Sequence, residues 1–103
     1  MIGAVAQAAG ECAKNYSSNE EVYVRVHAYV KYNNTEWIRL GSNMKKVKVE
    51  EVYETAGKLA QKILSEGLLS NVTFCSGKAI KVVLDNGNGN ICERDIGADF
   101  LPL

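Results

Sequence analysis

Glu21-Val22-Tyr23-Val24-Arg25-Val26-His27-Ala28-Tyr29-Val30-Lys31-Tyr32 alternates without a break, and that alternation decides the fold. Side chains on a strand point to opposite faces with a period of two. The segment therefore sets Val22, Val24, Val26, Ala28, Val30 and Tyr32 on one face. Glu21, Tyr23, Arg25, His27, Tyr29 and Lys31 fall on the other. The first row is core material, and the second mixes rings and cations that a core does not need.

Working outward, Asn33-Asn34-Thr35 supplies turn chemistry and Glu36–Leu40 reads as the returning strand. An odd three-residue loop pairs Val30 with Ile38 and Ala28 with Leu40 on the aliphatic side. It pairs Tyr29 with Arg39 and Lys31 with Trp37 on the other. A two-residue loop would set Arg39 opposite Ala28 and turn a charge to the core, so the register selects the odd loop. Gly41-Ser42-Asn43 then reads as a second turn. Met44–Val49 reads as a third strand whose lysines suit an exposed edge.

Glu50–Glu66 is the strongest helical segment. Val52, Ala56, Leu59, Ala60, Ile63 and Leu64 form one stripe, while Glu54, Lys58, Gln61 and Lys62 cover the back. Glu50, Glu51 and Glu54 stand near the positive end of the helix dipole, Lys62 stands near the negative end, and Gly67 is placed to stop the helix. Its stripe is expected to pack on the valine face. A shorter N-terminal helix is expected from Ile2, Val5, Ala6, Ala9, Cys12 and Ala13, weakened by Gly3 and Gly10.

After Leu68-Leu69, Asn71–Cys75 and Lys78–Leu84 read as strands parted by Ser76-Gly77. Asp85–Asn90 reads as a glycine-asparagine turn, and Ile91–Ile96 as the last strand. The tail Phe100–Leu103 is apolar enough to dock on the domain. The expected fold is α+β and two-layered: a mostly antiparallel sheet in the order α-β-β-β-α-β-β-β, with one long amphipathic helix on one face. With 103 residues and 47% hydrophobic content, residues 1–103 form one domain.

Twelve basic and twelve acidic residues cancel, which excludes a protein held to nucleic acid by bulk charge. The charges are unevenly spread, because residues 21–48 are basic and residues 49–103 mildly acidic. No apolar run approaches the roughly 20 residues of a membrane span, so no membrane partner is expected. Met1–Gly10 lacks the basic start of a secretory leader. Cys12, Cys75 and Cys92 are odd in number and lack a paired spacing, so free buried thiols and a cytoplasmic home are the expectation. Acceptor sequences for N-linked sugar occur at Asn15, Asn33 and Asn71, where composition alone supplies about one, and carry little weight by themselves.

The chemical constellations are weak. His27 is the only histidine, has no marked partner for acid–base work, and stands beside Arg25, which favours its neutral form. Cys12, His27, Cys75 and Cys92 have the ligand count for structural zinc but no Cys-x-x-Cys knuckle. Asp85–Asn90 offers too few carboxylates for calcium and no helix N-terminus for phosphate. Glu93 and Asp95 share a strand face and read as solvated charges rather than a glycosidase pair. Neither a metal nor a cofactor is expected.

What remains is the face carrying Tyr23, Arg25, His27, Tyr29, Lys31, Trp37 and Arg39. Tyr, Trp and Arg are enriched at the centres of protein interfaces. The expected function is therefore a non-enzymatic binding or inhibitor-type module for a protein partner, including a second copy of itself as a homodimer. Single-stranded nucleic acid is the alternative, with Tyr23, Tyr29 and Trp37 stacking bases and Arg25, Lys31, Arg39, Lys45 and Lys46 meeting phosphates. The chain lacks the aromatic strand signature of an RNA-recognition domain, and its strongest helix opens on glutamates that repel phosphate. A third reading has the N-terminal helix covering the aromatic face as a second small core.

Overall fold

In a computed structural model that describes residues 2–33, 36–67, 69 and 75–97, the chain forms two helices over a four-stranded antiparallel sheet. The elements are α1 (Ile2–Ala13), β1 (Glu21–Lys31), β2 (Ile38–Lys48), a 3-10 turn (Val49–Glu51), α2 (Val52–Ser65), β3 (Gly77–Asp85) and β4 (Ile91–Ile96). The spatial order is β2-β1-β3-β4, so the alternating segment lies inside the sheet with a neighbour on each side.

The expected facing holds. Val22, Val24, Val26, Ala28 and Val30 are fully buried in one cluster with Val52, Ala56, Ala60 and Ile63 of α2. Val5, Ala9 and Cys12 of α1 belong to that same cluster. Both helices thus lie side by side on the valine face, with α2 over β1 and β2 and α1 over β3 and β4. They approach closely because small residues meet: a Cβ at Gly57 would stand 3.6 Å from Ile2 Cγ2 and 3.8 Å from Ala6 Cβ. The thin alanine face of α1 is shaped to fit against α2, and it does not cover the aromatic rings.

The Tyr29–Arg39 and Val30–Ile38 pairs appear as the register argument requires. Beyond them two expectations are corrected. Gly41-Ser42-Asn43 makes no turn, and Glu36–Leu40 and Met44–Val49 are not separate strands. A bulge sets Gly41 rather than Leu40 opposite Ala28, after which Ser42 pairs with His27 and Asn43 with Val26. The eleven residues of β1 offer an uninterrupted row of backbone partners, and the ladder overrides the local turn preference of Gly-Ser-Asn. Val49 leaves the sheet, its N–H donating to Glu20 O at 3.0 Å to start the 3-10 turn before α2.

The Asp85–Asn90 turn forms as expected. Gly87 and Gly89 hold positive φ of 80° and 88°, and the Gly87 N–H donates to Asp85 Oδ1 at 2.7 Å. Residues 71–74 of the strand expected at Asn71–Cys75, part of the Asn33–Thr35 turn, and the Phe100–Leu103 tail lie outside the described residues, and Cys75 itself is in no strand. Leu69 is buried.

The cysteine reading is also corrected. Cys12 of α1 and Cys92 of β4 are joined in a disulfide with Cα atoms 5.6 Å apart, and Cys75 is free. The two partners lie 80 residues apart in sequence, so no local spacing could reveal that the fold brings them together.

Candidate functional site

Among the described residues, the face of the sheet opposite the helices is formed by side chains of all four strands. β1 gives it Tyr23, Arg25, His27, Tyr29 and Lys31 at every second position. The ladders set Lys46 opposite Tyr23, Met44 opposite Arg25 and Arg39 opposite Tyr29. On the other side Lys81 pairs with His27, Ala79 with Tyr29 and Asp85 with Tyr23, and β4 adds Asp95 opposite Lys81. All seven residues singled out from the sequence gather on this side. Lys45 does not belong to the set, because its partner in the ladder is Val24 of the core row.

Tyr23, Tyr29 and Trp37 are each matched with a cation. Arg25 Cζ stands 5.6 Å from the Tyr23 ring centre, Lys46 Nζ 5.5 Å from the same ring, Lys81 Nζ 5.6 Å from Tyr29, and Lys31 Nζ 5.9 Å from Trp37. Pairs of this kind hold rings in place by attraction between the charge and the electron-rich face. Arg25 Nη1 also reaches Asp85 Oδ2 at 3.2 Å, and Lys81 Nζ lies 3.9 Å from both Glu93 and Asp95. The face is therefore graded, basic along β2 and β1 and acidic along β4.

At its centre His27 is only 7% exposed, edge-on to Tyr29 with ring centres 6.1 Å apart. Burial pushes its pKa below the ordinary value, and Arg39, Arg25 and Lys81 push it further against a weaker pull from Glu93. Its Nδ1 is buried and has no hydrogen-bond partner among the described residues. Ser42 stands opposite His27 in the ladder, and among the described residues no hydrogen bond joins the imidazole to a carboxylate.

Toward the Lys31 end a groove of about 420 Å³ opens, lined by Tyr29, Trp37, Gly77, Ala79, Lys81 and Asp95. Small residues on β3 make the depression and the two rings wall it. Trp37 is 47% exposed, and Met44 and Ile91 are each 54% exposed. Apolar surface of this kind beside a polar rim is the usual make-up of a contact surface.

Sequence reasoning missed the contribution of β3 and β4, namely Gly77, Ala79, Lys81 and Asp85 with Glu93 and Asp95. The alternation Ala79, Lys81, Val83, Asp85 was visible, yet only the β1–β3 ladder tells which face it joins. The four residues with the ligand count for zinc are divided, since Cys12 and Cys92 are bonded on the helix side while His27 stands on the other. Among the described residues no group of three His, Cys, Asp or Glu is placed to hold a metal ion. No helix among them is long and apolar enough to cross a membrane. No protein-family model, curated protein or solved structure matches the chain.

Proposed function

We propose that the outer sheet face is a recognition surface for a protein partner, and that the chain is a binding module rather than an enzyme. The observation that carries this is the placement of both helices on the opposite side, which leaves Trp37, Met44 and Ile91 exposed beside a basic strip. The groove between Tyr29 and Trp37 suits one apolar anchor side chain of the partner, with Arg39, Lys31 and Lys46 meeting carboxylates around it. A second copy of the chain also meets these terms. In a two-fold arrangement the basic strip of one copy lies over Glu93 and Asp95 of the other.

Single-stranded nucleic acid is the weaker reading. Arg25 is already held by Asp85, Lys81 stands between two carboxylates, and those carboxylates would repel a phosphate chain on the same face. For the compartment, the odd cysteine count favoured the cytoplasm. The Cys12–Cys92 bond favours an oxidising compartment, because cytosolic thiols are kept reduced, and we adopt that reading.

The test is sedimentation of the wild-type chain, Trp37→Ala and Arg39→Glu, with and without a single-stranded oligonucleotide and over a range of salt. Lys58→Glu on the far side of α2 serves as control. A self-complex or a purified partner lost in both face variants and kept in the control supports the proposal. An oligonucleotide complex that weakens steeply and log-linearly with salt would establish the alternative. Binding unaffected by either face variant would remove the face from consideration.

A further inference from the structure

We infer that Asn15 is an acceptor for N-linked sugar, in a chain whose Cys12 and Cys92 are oxidised in the same compartment. The inference rests on the oxidising compartment adopted above but not on the outer face. The acceptor sequence is Asn15-Tyr16-Ser17, an asparagine followed two residues on by a hydroxyl. Such triplets are common by chance, and two structural observations set this one apart.

The first is presentation. Asn15 and Ser17 are both exposed in the turn after α1. Among the described residues only their backbones are engaged: the Asn15 carbonyl accepts from Asn90 Nδ2 at 3.4 Å, and the Ser17 N–H donates to Glu20 Oε2 at 3.1 Å. Tyr16 between them points the other way. Its hydroxyl lies 3.0 Å from Leu84 O and 2.9 Å from Asn90 O, anchoring the turn to the β3–β4 hairpin. The acceptor amide and the hydroxyl are thus displayed outward from a loop fixed at its middle.

The second observation is the disulfide three residues earlier. Forming it takes two protons and two electrons from the Cys12 and Cys92 thiols, which pass to the disulfide of an oxidoreductase and leave it as a dithiol. Compartments that supply this exchange in a eukaryotic cell also supply sugar transfer. In that transfer Asn15 Nδ2 forms a bond to the anomeric carbon of a lipid-pyrophosphate-linked oligosaccharide. The carbon–oxygen bond to the pyrophosphate breaks, an amide proton is given up, and the lipid pyrophosphate leaves.

The location is compatible with binding. Asn15 adjoins the Asp85–Asn90 turn, while the groove lies at the Lys31 end of β1. At about 3.3 Å per residue, the eleven residues of β1 put roughly 30 Å between them. The acceptor sequences at Asn33 and Asn71 extend beyond the described residues and form no part of the inference.

The test expresses the full chain behind a cleavable secretory leader in cultured animal cells. Secreted and retained material are both mapped by mass spectrometry after peptide N-glycosidase treatment in oxygen-18 water. The expected result is a labelled aspartate at position 15, absent in Ser17→Ala and present in Ser17→Thr. Ser17 makes no side-chain bond among the described residues, so both variants fold. An unlabelled Asn15 in wild-type protein overturns the inference. Alkylation without reduction reads the cysteines separately: modification of Cys75 alone supports the oxidising compartment, and modification of Cys12 and Cys92 overturns it whatever Asn15 carries.

Discussion

Trp37 lies over the backbone of Gly77 so closely that a Cβ built there would stand 3.1 Å from Trp37 Cη2. The absent side chain is what lets the indole settle against β3 and wall the groove. Gly77→Ala is expected to lift the indole into solvent, read as a red shift in the emission of the only tryptophan. Stability should change by less than about 1 kcal/mol, since Ala is the better strand residue and the ring is already half exposed. An unshifted spectrum would show that the ring does not rest there.

The two faces should respond to mutation in opposite ways. Ile63→Ala empties a fully buried site under the sheet and is expected to cost about 2–5 kcal/mol by urea denaturation. Met44→Ser on the outer face should stay within about 0.5 kcal/mol. A large cost at Met44 would mean that something covers the outer face.

Reducing the Cys12–Cys92 bond releases a loop of 80 residues, for which chain entropy alone predicts a loss of roughly 4 kcal/mol. Cys12→Ala/Cys92→Ala should lower the denaturation midpoint accordingly, while Cys75→Ala leaves the disulfide intact. Equal midpoints with and without reductant would contradict the bond.

Acid should weaken the fold through two groups that begin to act at different pH. Because the pKa of His27 is depressed in the fold, mainly by burial and then by three cations, the unfolded chain binds its proton more tightly. His27 therefore costs nothing above its ordinary value of 6.5, and stability falls as pH drops below that value through the folded pKa. Asp85 acts lower. The Gly87 N–H and then Arg25 hold its carboxyl below the usual 3.8, so its contribution is present above that value and is lost as pH falls through the folded pKa. His27→Gln should flatten the upper part of a midpoint-against-pH plot and leave the lower part. An unchanged upper part would assign it to another group.

The strength of the alternation from Val22 to Val30 made the sheet legible, and the stripe from Val52 to Ile63 did the same for α2. Facing and the Tyr29–Arg39 register followed from period alone. What escaped was long-range. Gly41-Ser42-Asn43 carries genuine turn chemistry, and only the neighbouring strand makes it extended. Cys12 and Cys92 meet because α1 crosses β4, which no pattern within α1 encodes. The acidic half of the face came from β3 and β4, whose parity could be counted but not oriented.

Stacking α1 beside α2 on the valine side has one more consequence. Most of the residues that hold the molecule together lie on one side of the sheet backbone and most of the exposed rings and cations on the other, with His27 and Val83 the buried residues of the outer side. Positions such as 39 and 46 are exposed and lie outside the buried cluster, so single exchanges there are expected to leave the shape intact. The inward row has no such liberty, since each change there asks for a matching one in a helix.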